Sequence, residues 1–317
     1  MGEETKESVG VEYWLKWQVG VCALIILIPS TVAAAIAARR MRNKRGGGGD
    51  DGDELRRSDL WVPCWSNLNP VWVLVYRVFA MVIMGWILYQ MVIFAGFWSF
   101  HFYTIWTFTL LIVYFAIGAV VSAQECMMYM KGPVNVGEKE KLLKNKEVIN
   151  GLQNHGYHDE ASDKAGYLGN IMHIMYLTCA GAILMTDIVF WCLLVPMLAG
   201  VTFELNLLMI SIHSLNAVFL LGDSALNRLP FGWFGLIYFF LWGAIYVLTQ
   251  WILHARGLTW WPYPFLDLAN PWAPLWYLGL TLFHIPCYGI YVLIVKGKAL
   301  VCSRLFPNAF VRILGLG

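Results

Sequence analysis

Seven long apolar runs dominate the sequence, at 18–38, 71–94, 102–123, 170–195, 205–222, 234–253 and 275–295. A helix rises about 1.5 Å per residue, so about 20 apolar residues cross the hydrocarbon core of a bilayer. Within that core the backbone has no water to bond, and helical segments satisfy it internally. The runs therefore predict an all-α fold, a polytopic membrane helix bundle of seven transmembrane helices. Composition agrees: 59% of the 317 residues are apolar and only 13% charged, where soluble domains carry about a quarter charged. The aromatic share of 15% suits a chain with many membrane interfaces, where amphipathic rings settle at headgroup level.

The first run has the look of a signal peptide, with an apolar stretch Val19–Ile28 and the small-residue stretch Ala33–Ala38. Its leading segment is acidic, however, with Glu3, Glu4, Glu7 and Glu12 against Lys6 and Lys16. A dense basic run, Arg39, Arg40, Arg42, Lys44 and Arg45, follows at once as a stop-transfer signal. A retained helix is the expectation. Lys and Arg then set orientation. With the N-terminus outside, the segments assigned to the cytosol (39–70, 124–169, 223–233 and 296–317) hold 18 basic residues and the outer segments three, Lys6, Lys16 and Arg256. That bias requires an odd number of spans, N-terminus out and C-terminus cytosolic. The implied organisation is an N-terminal helix and Gly/Asp-rich linker (1–70), a six-helix core (71–298) with a cytosolic loop at 124–168, and a cytosolic tail (299–317). A short helix is expected over Lys139–Lys146 in that loop. Net charge is only +2 and points to no nucleic acid. The localisation expected is integral membrane, in the endoplasmic reticulum or plasma membrane.

Proline and cysteine add detail. Pro29 and Pro286 fall inside spans, where a missing N–H frees a carbonyl and kinks a helix. Pro262, Pro264, Pro271 and Pro274 stiffen the connection before the last span, and with Trp260, Trp261, Tyr263, Phe265, Trp272 and Trp276 it reads as an aromatic cap at the outer interface. No Cys lies in an outer loop, so no disulfide framework is legible. Cys64, Cys126 and Cys302 lie near cytosolic span ends and are either inert thiols or palmitoylation sites. Cys22, Cys179, Cys192 and Cys287 read as packing residues.

Polar groups inside spans are the functional suspects, because each is costly in lipid. His213 lies nine residues into a span, and Asn216 follows on the same helix face. The pair reads either as a structural His–Asn hydrogen bond or as a base held in one tautomer. Thr104 opens the third span from the same side as His213, with Thr107 one turn deeper. Each threonine either bonds the carbonyl one turn back or supplies a hydroxyl to an imidazole, the minimal nucleophile-and-base pair of acyl transfer. Asp187 in the fourth span is placed to orient His213, as the acid does in a hydrolase triad. Asp223 with Arg228 reads as an interfacial anchor. His213, His284 and Asp187 form a conceivable metal set, but no His-x-x-x-His pair supports it, and no metal or cofactor is expected.

At these residues the chain resembles the androgen-induced/androgen-dependent membrane hydrolase family, and more closely its rolling-stone-like branch, over residues 70–298. Three stretches carry the resemblance: His101-Phe102-Tyr103-Thr104-Ile105-Trp106, Ile212-His213-Ser214-Leu215-Asn216 with an acid at Asp223, and Trp261-Pro262-Tyr263-Pro264-Phe265-Leu266-Asp267. The resemblance implies hydrolysis of fatty acid esters of hydroxy fatty acids, with Thr104 as nucleophile, His213 as base and Asn216 as a candidate oxyanion donor. The partners it implies are membrane lipids and a hydrophobic ester substrate. The chain departs from the hydrolase pattern at Met209-Ile210-Ser211-Ile212, where the family's hydrolases carry an Asn-His pair. Rolling-stone-like members are associated with cell fusion, so a non-enzymatic scaffold or adhesion/fusion factor stands beside the hydrolase, and a transporter or receptor behind both. A lipid hydrolase requires Thr104 and His213 on one cavity open to lipid and within roughly 5 Å, close to the reach of a hydroxyl–imidazole pair; a scaffold requires His213 packed and satisfied with no cavity; a transporter requires a polar path running on past Asp187 toward the cytosol.

Overall fold

The computed structural model describes residues 11–45, 55–130, 164–198 and 206–311. The expected Lys139–Lys146 helix and the Gly/Asp stretch of the linker lie outside these residues. Seven helices are long and apolar enough to cross a membrane. They are α1 (Trp17–Arg45), α2 (Val71–Ala95), α3 (Tyr103–Met130), α4 (Tyr167–Val189, carried on through Phe190–Leu194 and Val195–Leu198), α5 (Leu207–Ile212 and Leu215–Leu226), α6 (Gly235–Ala255) and α7 (Ala273–Leu305). The chain fits a multi-pass integral membrane protein, and each expected span lies on one of these helices. α1 runs on through Pro29 and α7 through Pro286. Pro274 sits in the first turn of α7, where its missing N–H leaves no intrahelical bond unmade.

α4 packs against α3, α6 and α7. Its sequence explains this. Cys179, Ala180, Gly181 and Ala182 are all buried and small enough for neighbouring helices to come close. At Gly181 a Cβ would stand 2.3 Å from the Phe239 ring of α6, so only glycine fits that crossing. Outward faces carry Trp72, Phe79, Trp86, Ile93 and Leu293, all exposed, as a lipid-facing surface requires. α1 lies against α6 and α7. Its residues Val19, Cys22 and Ile26 share a cluster with Ala244, Tyr246 and Tyr277, and Tyr13 donates to Asp267 Oδ1 at 3.2 Å.

One end of the bundle is tied by a buried ionic network. Arg77 of α2 is wholly buried; its Nε donates to Asp223 Oδ1 at 3.0 Å and its Nη1 to Ser122 Oγ at 2.8 Å and Leu60 O at 2.7 Å. Tyr114 and Asn227 donate to Asp223 Oδ2 at 2.5 and 2.7 Å. Asp223 is thus not the interfacial partner of Arg228 expected from sequence nearness. It is the hub joining α2, α3 and α5, since a buried carboxylate persists only with its charge and lone pairs met. Beside it Ser224 meets Tyr176 and Tyr291, and Lys298 Nζ donates to Ser224 O and Asn227 O at 2.6 and 3.0 Å. Flanking segments close this end: Cys64 N donates to Leu226 O and Val311 N to Cys64 O, each at 2.8 Å.

Cys22, Cys64, Cys126, Cys179 and Cys287 are buried. Cys192, expected as a packing residue, is exposed, because the turn after Val189 rotates it outward. Burial also pushes the Cys64 thiol up, and its Sγ donates to Ala225 O at 3.2 Å. Of the three proposed palmitoylation positions, only Cys302 is partly open.

Candidate functional site

The opposite end of the bundle holds a cavity between α1, α3, α4, α6 and α7. It contains about 780 Å³ of atom-free space, counting its open mouth. Thr104 and His213 both line it, together with Tyr103, Thr186, Tyr263, Thr281 and His284, in a wall otherwise mostly apolar. Ile26 of α1 also faces it, so the first helix contributes to the site rather than merely preceding the six-helix core.

Two local irregularities build the histidine site. α5 breaks at His213–Ser214, where φ/ψ of −104/15 and −139/−44 leave the helical region. α4 widens into a single π-turn over Phe190–Leu194 directly after Asp187. Such turns insert an extra residue and recur at functional sites. Here the π-turn lays the Phe190 ring flat on His213, centroids 3.5 Å apart and planes within 4°. It also brings Trp191 Nε1 to His213 O at 2.9 Å, satisfying the carbonyl at the helix break.

His213 Nδ1 stands 3.8 Å from Asp187 Oδ1, beyond hydrogen-bond range, and has no other partner. Asn216 Nδ2 donates to that same Oδ1 at 2.9 Å, while its Oδ1 accepts from Ala217 N at 2.7 Å. Asn216 therefore reaches His213 through Asp187 and not by the direct bond the sequence suggested. Its amide oxygen and one of its two N–H donors are committed, and it does not line the cavity, so it is not placed to donate to a substrate oxyanion there. Asp187, expected to orient His213, stands beside the ring but outside hydrogen-bond range of it. The assumption that Asn216 bonds the ring fails because the helix break falls between the two residues.

Thr104 and Thr107 part company. Thr178, Thr186 and Thr249 each bond the carbonyl one turn back, as threonines in membrane helices do. Thr104 instead lies against the Tyr263 hydroxyl. That hydroxyl accepts the Tyr103 backbone N–H at 3.1 Å, which leaves its own proton available. Burial pushes the Tyr263 phenol up to about 12, and the Thr104 side chain opposes that rise. Thr107 is 1% exposed and is not on the cavity wall, and its hydroxyl lies against that of Tyr103.

Tyr263 and Phe265, expected in the aromatic cap, are buried and stacked on each other at 5.0 Å, so the Trp-Pro-Tyr-Pro connection forms the cavity's roof. Sequence reasoning singled out neither Tyr263 nor Tyr103 as site residues. The flanking prolines were the only sign that this segment holds a fixed shape. Among the described residues no three His, Cys, Asp or Glu are grouped to hold a metal ion. No protein-family model, no curated protein and no solved structure matches the chain.

Proposed function

We propose that this chain is an intramembrane lipid-ester hydrolase, with Thr104 as nucleophile and His213 as base. The observation that carries the reading is the shared cavity: a hydroxyl not back-bonded to its helix and an imidazole backed by a carboxylate line one apolar space among the spans. A lipid ester enters from the bilayer with the outer leaflet on the aromatic-capped side, as the Lys and Arg distribution implies. The resemblance to the androgen-induced/androgen-dependent hydrolases assigns the same two residues.

The steps follow from the groups present. Thr104 Oγ attacks the ester carbonyl while His213 Nε2 accepts its proton. The alcohol leaves with that proton, and acyl-threonine remains. Water then gives its proton to His213 and attacks the acyl carbon; Thr104 recovers the proton as the fatty acid departs. Asp187, held by Asn216, steadies the imidazolium through Nδ1. Tyr263, beside Thr104 and protonated at neutral pH by its raised pKa, supplies a neutral donor to the developing oxyanion. A scaffold whose His213 is packed and satisfied fits less well, since Nδ1 has no hydrogen-bond partner and a cavity is present. A transporter path past Asp187 meets the packed Arg77–Asp223 network instead.

The test is fluorophosphonate labelling of the purified protein and of Thr104→Ala, Thr107→Ala and His213→Ala. Labelling lost in Thr104→Ala and His213→Ala but kept in Thr107→Ala is the expected result. Loss with Thr107→Ala alone moves the nucleophile one turn deeper. An unlabelled, folded wild type sinks the hydrolase and favours the scaffold.

A further inference from the structure

His284 lies on the cavity wall opposite the proposed reacting pair in sequence, on α7, and the hydrolase steps do not use it. Its Nδ1 is 2.8 Å from the carbonyl oxygen of Leu280, one turn back on the same helix. A carbonyl only accepts, so that nitrogen carries the proton. In a neutral imidazole the other nitrogen, Nε2, is then a bare acceptor. Nε2 is buried and has no partner. It abuts Gly243 of α6, where an added Cβ would stand 2.8 Å from it, and Gly243 is itself on the cavity wall. The ring is held by Phe239, centroids 4.4 Å apart, and edge-on by Phe240 at 5.4 Å. A fixed, buried acceptor on a residue of an apolar cavity wall is a loss unless something donates to it.

From this we infer that His284 Nε2 is the recognition point for a neutral hydroxyl on the lipid that fills the cavity. The donor must be uncharged, because the groups packed on the ring, Phe239, Phe240 and Gly243, balance no charge and the wall is mostly apolar. A hydroxyl on an acyl chain and a free hydroxyl of a glyceride share this chemistry. Gly243 is the residue that keeps the approach open. The inference rests on the reading of the cavity as a lipid site and adds its ligand class; it does not require that the lipid be hydrolysed.

The test is equilibrium binding of matched lipids to the full chain in nanodiscs, with Thr104→Ala present throughout to suppress turnover. The pairs are methyl 12-hydroxystearate against methyl stearate, and 1-oleoylglycerol against methyl oleate. Expected is a preference of about tenfold for the hydroxylated member of one pair, the size of one good buried hydrogen bond; which pair shows it identifies the source of the hydroxyl. His284→Phe removes the preference, and His284→Gln, whose amide oxygen reaches the place of Nε2, restores most of it. Gly243→Ala removes it by setting a methyl against Nε2 with the histidine itself retained, which covers the case in which His284→Phe fails to fold. Equal binding within both pairs overturns the inference, as does a preference that survives His284→Phe. A preference for stearic acid over methyl stearate, with none for the hydroxyl, overturns it in favour of a protonated carboxyl. Hydroxyl preference without any fluorophosphonate labelling keeps this inference and sinks the hydrolase; labelling without hydroxyl preference does the reverse.

Discussion

The two ends of the bundle treat buried polar groups in opposite ways. At the Arg77 end, Asp223, Tyr114, Ser122, Asn227, Ser224 and Tyr291 meet one another, and of Arg77 only Nη2 is left without a partner. At the cavity end, His213 Nδ1 and His284 Nε2 are both buried without one. A satisfied network holds a fold in one arrangement; an unsatisfied set stores a demand that a ligand can meet. On the function proposed above, the first end serves assembly and the second binding. The difference also explains where irregular backbone is found. α2 and α3 are regular where they meet Asp223, whereas the helix break of α5 and the π-turn of α4 both lie at the cavity.

The sharpest way to break this contrast is to remove one partner at the ionic end. Arg77→Met leaves Asp223 buried and uncompensated, which costs about 3–5 kcal/mol. Loss of monodisperse protein on size exclusion, with partial recovery in Arg77→Met/Asp223→Leu, is expected. Full stability of the single variant would deny the network its structural role.

Changes at the cavity end are expected to spare the fold and reach function. His213→Gln lowers ester hydrolysis by about 10²–10⁴-fold, with its thermal midpoint close to that of the wild type. A large drop in that midpoint with no separate loss of activity per folded molecule would make His213 a packing residue after all. Asn216→Ala frees Asp187 from its only side-chain donor. A fall in kcat of about tenfold at unchanged KM is the expected signature of a positioning residue; a change confined to KM would place Asn216 in substrate binding.

The smallest effect concerns thiols. Cys192 is exposed and Cys64 is buried with its pKa raised. A raised pKa leaves less thiolate at neutral pH and burial blocks access, so maleimide labels Cys64 only after unfolding. Fast labelling of Cys64 in the native protein would mean that the segments closing the Arg77 end open easily.

Much of this protein follows from the sequence alone. The seven apolar runs determine seven helices, because lipid offers the backbone no other partner. Thr104, His213 and Asp187 stood out because polar atoms are rare within such runs, and rarity needs no knowledge of packing. What tertiary structure decided is which of these atoms meet. The pairing of Arg77 with Asp223, 146 residues apart, is set by how α2 and α5 cross, and nearness in sequence wrongly favoured Arg228. The diversion of Asn216 from His213 to Asp187 arises from a helix break that no glycine or proline announces. The entry of Tyr263 beside Thr104, and the single open nitrogen of His284 facing Gly243, depend on distances between segments that apolar periodicity does not encode. Hydropathy is a property of one residue in its solvent; a hydrogen bond is a property of two residues in one geometry, and only the folded chain supplies that.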